Sequence, residues 1–169
     1  MTKIISIDYI KQNSDIRNNV DSKRMNSFIL TAQKLYLERK LGTNLLNKIY
    51  TIIDDGSITG STYANYKTLV DDYISYPLMK ATLYCGVEHI HSQVSNIGIT
   101  AGASVNTTSI SPEQLGSWKN VYREEMVDGL NTLYDYLLEN NTLFSEFDSG
   151  NDDLNDKIPD DIQDLPICW

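Results

Sequence analysis

The run from Ser111 to Asn141 constrains the fold more than any other stretch of the chain. Ser111-Pro112-Glu113-Gln114 supplies a capping hydroxyl, a proline at the first helical position and a capping-box glutamine at the third. Behind it apolar residues recur at helical spacing: Leu115, Trp118, Val121, Tyr122, Met126, Leu130, Leu133, Tyr134 and Leu137. A long amphipathic helix has to bury that stripe against other helices, and the rest of the sequence supplies them.

SIDYIKQN (6–13) reads as a short helix capped by Ser6. Asp21 caps a first long helix reaching Lys40, with Met25, Phe28, Ile29, Ala32, Leu35 and Tyr36 as its stripe. Gly42 sits where a left-handed C-cap belongs, and Thr43 caps a second helix with Leu45, Leu46, Ile49, Tyr50 and Ile53 on one face. Asp54 and Asp55 oppose the dipole at its end and Gly56 follows; DGSITGST (55–62) is loop by composition. From Thr62 a third helix buries Tyr63, Tyr66, Leu69, Val70, Tyr73 and Ile74. Pro77 interrupts it and biases Tyr76 away from helix. The apolar pattern resumes at Leu78 and runs nearly all round to Ile90, which predicts the central helix, as a kinked continuation or a separate element. SNIGITAGASVNTTSIS (95–111), β-branched and almost without charge, reads as a long loop or a short β-hairpin. The predicted fold is therefore all-α. It is an antiparallel helical bundle of four to five helices over residues 1–147, followed by an extended acidic C-terminal tail over 148–169.

Charge is segregated along the chain. Residues 1–53 carry a net +5, residues 54–144 a net −7 and residues 145–169 a net −7. So acidic a chain is poorly suited to gripping nucleic acid, which needs a basic footprint. A basic front and an acidic remainder suit a self-complementary molecule, one copy's front meeting another's back. Lys23, Arg24, Lys34, Arg39 and Lys40 are the candidate front residues of that subunit interface. No apolar run is long enough to cross a membrane, and MTKIISIDYIKQ lacks a signal-peptide core.

Catalytic patterns are weak. CGVEHIH (85–91) places Cys85 and His89 four residues apart on one helix, flanked by Glu88 and His91, without the second ligand cluster that zinc needs. Adjacent carboxylates at 54–55, 71–72 and 124–125 diverge by about 100° on a helix and form no acid–base dyad. The glycines of NIGITAGAS (96–104) lack the lysine and spacing of a phosphate loop. The reading is of no enzyme, no cofactor and no metal. Eleven tyrosines are many for a small interior, so some, such as Tyr63 or Tyr136, are expected at a subunit contact.

Three stretches, AQKLYLERKLGTNLLNKI (32–49), LVDDYISYPLMKATLY (69–84) and LYDYLLENNTLFSEF (133–147), carry a family likeness. In order and spacing they resemble the small helical head–tail connector proteins of tailed bacteriophages, nearest to the group in crAss-like and related gut phages. Phe144-Ser145-Glu146-Phe147 departs from the family pattern, which has a proline at the position of Ser145 and a tyrosine at that of Phe147. The resemblance implies a structural virion protein at the head–tail junction: a ring of twelve subunits beneath the portal protein, bound also to the next neck or tail ring protein. DNA would pass through its channel without specific binding. The alternative is a cytosolic helical adaptor with an acidic docking tail.

Within GNDDLNDKIPDDIQDLPICW (150–169), Leu154, Ile158, Ile162, Leu165, Ile167 and Trp169 are spaced among acids. They are the expected partner-docking residues, the acids matching basic groups on the partner. Ile97, Ile99, Val105 and Ile110 are the apolar residues of the loop expected to project from the bundle.

Overall fold

The computed structural model describes residues 2–14, 16, 21–91, 94–95, 98–99 and 111–147. It contains the short helix α1 (Ile7–Asn13) and five further α-helical segments. These are α2 (Ser22–Ala32), α3 (Glu38–Asp54), α4 (Ala64–Thr68), α5 (Ser75–His91) and α6 (Pro112–Glu139). A π turn at Gln33–Leu37 joins α2 to α3, and another at Leu69–Ile74 joins α4 to α5. The segments make four packed rods, 22–41, 43–54, 64–91 and 112–139, in an all-α bundle. Val94–Ser95 and Gly98–Ile99 pair antiparallel in a two-residue ladder at the start of the segment expected as loop or hairpin. The remainder of that segment, with Ile97, Val105 and Ile110, lies outside the described residues.

The caps read from the sequence are in place. Ser6 accepts from the Tyr9 amide at 3.0 Å, and Asp21 Oδ1 from the Lys23 amide at 2.8 Å. Ser111 and Gln114 complete a reciprocal capping box at 3.2 and 3.0 Å. The helix break expected at Gly42 is also there, in a different form. Gly42 has φ 74° and ψ 158°, not the left-handed helical cap but a region that only glycine enters cheaply.

The two π turns explain where the sequence pattern failed. A wider turn rotates the chain less per residue, so the residues that follow lag behind α-helical phase. Leu35, inside the first turn, is only half-buried, while Leu37, Lys40 and Leu41 come round into the core; Phe28, ahead of the turn, is half-buried against His89 for a separate reason. The second π turn carries the helix through Pro77. The amide and the hydroxyl of Ser75 both donate to the Val70 carbonyl, the hydroxyl at 2.7 Å, and Tyr76 stays helical. The expected bias of Tyr76 away from helix therefore does not hold.

Helix α5 is the central element, with Leu78, Met79, Ala81, Thr82, Leu83 and Val87 all buried between α2 and α6. Its antiparallel register with α6 is direct. From Tyr73 through Pro77 and Lys80 to Glu88, the partners run back from Tyr136 through Gly129 and Glu125 to Lys119. Rod 22–41 also opposes α5, Phe28 stacking on His89 and Tyr36 meeting Tyr84 edge-on. Fully buried Gln33 ties the N-terminal segment down. Its amide nitrogen donates to the Thr2 carbonyl and the Tyr50 hydroxyl, and its oxygen accepts from the Ile4 amide, each at 2.9 Å. All of its polar capacity that counts is satisfied, which is the condition for burying an amide without penalty.

Candidate functional site

Two stretches of the exterior differ from the rest. The first is the basic rod. Lys23, Arg24, Lys34 and Arg39 are all exposed. Arg24 reaches Asp21 at 3.9 Å and Lys34 reaches Glu38 at 3.6 Å, whereas Lys23 and Arg39 have no ion-pair partner among the described residues. Lys40 does not belong to this surface. It is wholly buried, its ammonium 3.3 Å from Asn131 Oδ1 and 5.2 Å from the centre of the Tyr134 ring. The phase lag of the preceding π turn is what takes it inward.

The second is a cleft of about 290 Å³ where the π turn and α5 meet α6. Asp72, Tyr73, Tyr76 and Pro77 form one wall, and Glu125, Asp128, Gly129 and Thr132 the other. The two helices approach closely because Gly129 has no side chain: a Cβ there would lie 2.9 Å from Pro77 Cβ. Tyr73 is fixed by stacking on Tyr136 at 3.8 Å. Tyr76, at 44% the one exposed tyrosine, is held by the Lys80 ammonium 5.1 Å from its ring centre. Lys80 pairs with Glu125 at 2.7 Å. Burial opposes the Lys80 charge, but the Glu125 carboxylate outweighs it and raises the pKa above the usual lysine value. Asp72 and Asp128, on opposite walls, have no cation within ion-pairing distance among the described residues. The tyrosines expected at a contact are not the exposed ones. Tyr63 and Tyr136 are half-buried, the first edge-on to Tyr66 and beneath Lys48.

Beyond α6 the chain is pinned before it leaves the bundle. Phe144 is fully buried and Phe147 nearly so, against Tyr66 and Tyr134 respectively. The Tyr66 hydroxyl donates to Glu146 Oε2 at 2.6 Å. That bond lowers the Glu146 pKa, while burial and then the same bond raise that of Tyr66. Because the folded Glu146 value is depressed, its contribution is present in full above the ordinary carboxylate range near about 4.3 and is lost as pH falls through the folded pKa. Urea midpoints measured from pH 7 down to pH 3 should therefore fall less in Tyr66→Phe than in the parent. Parallel curves would mean that the bond does not sense pH. Leu154, Ile158, Ile162, Leu165, Ile167 and Trp169 lie outside the described residues, and so does the side chain of Ile99.

The described side chains of CGVEHIH are not brought together as ligands. Cys85 is buried and is not a free thiol, Glu88 pairs with Lys119 at 2.7 Å, and His89 stacks on Phe28 at 5.6 Å. Among the described residues no three His, Cys, Asp or Glu side chains converge, and no helix is long and apolar enough to cross a membrane.

The model of a family of unknown function, DUF6712, matches residues 37–153, from the end of the first π turn past the last described residue. No curated protein and no solved structure matches the chain.

Proposed function

We propose, from the premise that the chain belongs to the DUF6712 family, that it is a structural subunit that assembles head to tail into a ring at the head–tail junction of a bacteriophage. The observation that carries this reading is the segregated exterior. Unpaired cations Lys23 and Arg39 stand on one rod, and unpaired carboxylates Asp72 and Asp128 with exposed Tyr76 stand on another. Such patches are complementary, and different patches meeting between copies give a heterologous contact, which closes into a ring when the rotation allows. The likeness to head–tail connector proteins supports the place and the partners: a portal protein on one side, the next neck or tail protein on the other. The stretches that carry that likeness include Gly42, Pro77 and Phe144, the helix break, the α5–α6 contact and the pinned exit of the bundle.

Native mass spectrometry and negative-stain electron microscopy of the full chain test the reading. The expected result is a closed ring with an open centre, stabilised further by a portal ring. A chain that stays monomeric at high concentration, alone and with portal protein, overturns it and favours the adaptor.

A further inference from the structure

We propose that the cleft between α5 and α6 is the socket for Arg39 of a second copy of this chain. The inference rests on the self-assembly reading and names the contact that reading requires.

The chemistry of the cleft selects a planar cation. Asp72 and Asp128 line it from opposite walls with no cation within ion-pairing distance among the described residues, Lys67 acting on Asp72 only from farther off, while the third acid, Glu125, is already answered by Lys80. Tyr73 and Tyr76 stand on the same wall as Asp72, and the walls meet at the Pro77–Gly129 contact, so a cation entering there meets carboxylates from both sides and aromatic surface on one. A guanidinium fits that combination better than an ammonium, because its fork bonds carboxylates and its flat face stacks on tyrosine. The volume, about 290 Å³, accommodates one long side chain. Two of the lining rings have partners before anything binds: Tyr73 is stacked on Tyr136 and Tyr76 lies beneath Lys80. Pre-ordering of this kind lowers the cost of association.

The occupant follows from the other surface. Of the exposed cations on the basic rod, Arg24 and Lys34 have acids of their own beside them, which leaves Lys23 and Arg39. Arg39 is the guanidinium of the two. It is also the better anchored, one residue from buried Lys40 and three from the Gly42 break, whereas Lys23 sits in the first turn of α2. Arg39 does not line the cleft of its own chain, so the plug and the socket are separate patches and one copy cannot fill itself.

The test is charge reversal on the full chain, read by sedimentation velocity and native mass spectrometry. Arg39, Asp72 and Asp128 are exposed, so far-UV circular dichroism of every variant should match the parent. Arg39→Glu, and separately Asp72→Arg with Asp128→Arg, should each weaken self-association about a hundredfold, as for loss of a close interfacial charge pair. Putting all three substitutions in one chain should restore assembly. Assembly of Arg39→Glu at parental strength, or failure of the triple variant to recover, overturns the socket and leaves the ring standing. A parent that never self-associates overturns both.

Discussion

Replacing Phe144 with alanine should cost about 3–5 kcal/mol, more than any other single change considered. The residue lies past the end of α6, where an aromatic side chain would ordinarily be dispensable. Here it is fully buried, edge-on to Tyr66 at 5.3 Å and tilted against Tyr136 at 6.2 Å, with Tyr136 itself stacked on Tyr73. Removing it empties a site walled by rings from two elements, Tyr66 of α4 and Tyr136 of α6, with Tyr73 of the π turn stacked behind Tyr136. Those walls are rings already committed to one another, so collapse into the void is limited and the cavity term stays large. Urea denaturation of Phe144→Ala should show a lower midpoint with an unchanged slope, and hydrogen exchange should quicken at 141–147 and at the last turn of α6. A loss under about 1 kcal/mol would show that the exit segment is a surface appendage, contrary to the packing.

Much of the fold was legible because the signals were local. A cap is a side chain reaching an amide two or three residues away, so Ser6, Asp21 and the Ser111–Gln114 pair could be placed without tertiary information. Gly42 and Gly56 were legible for the same reason, each marking a break that needs positive φ. The π turns were not. They are set by what the helix must bury on both sides of them, and no residue type announces them. Their consequence, the inward rotation of Leu37, Lys40 and Leu41, removed Lys40 from the basic surface to which its sequence neighbours belong.

The other miss lies on α6. Trp118 and Val121 fit the apolar stripe but are 41% and 46% exposed. The register that sets Lys119 against Glu88 puts Trp118 and Val121 alongside α5, which runs to His91, so the face they occupy, and not the length of α5, leaves them exposed. Periodicity says which residues share a helix face and nothing about how much of that face a neighbour covers. The cleft was invisible for a related reason. Asp72 and Asp128 are far apart in sequence, and each alone reads as a solvated charge; only the antiparallel register of α5 with α6 sets them on facing walls. At Tyr76 the proline signal misleads: the bias that Pro77 puts on the residue before it gives way, and Tyr76 stays helical with its ring exposed. The charge split survived because it depends on composition over long segments, which phase errors do not scramble.

Two glycines on α6 provide the sharpest comparison, since one substitution should act in opposite directions. At Gly116 an added Cβ meets nothing within 4 Å, so Gly116→Ala should stabilise the chain by about 0.8–1 kcal/mol through helix propensity alone. Gly129→Ala gains the same propensity but drives a methyl into Pro77, with 2.9 Å to its Cβ and 3.4 Å to its Cγ. A proline ring inside a packed helix cannot swing aside, so α5 and α6 must separate, at a cost of about 1–3 kcal/mol or more for overpacking. The net should be destabilising, and the two variants should differ by the overpacking cost, about 1–3 kcal/mol, in chemical denaturation. Pro77→Ala should not rescue Gly129→Ala, because alanine keeps the Cβ that makes the nearest contact. The separation should also widen the cleft and loosen Tyr73 and Tyr76, so Gly129→Ala should impair self-association while Gly116→Ala leaves it intact. Equal stabilisation by both substitutions would mean that the helices do not meet at Pro77 and Gly129, and the register of α5 on α6 would have to be redrawn.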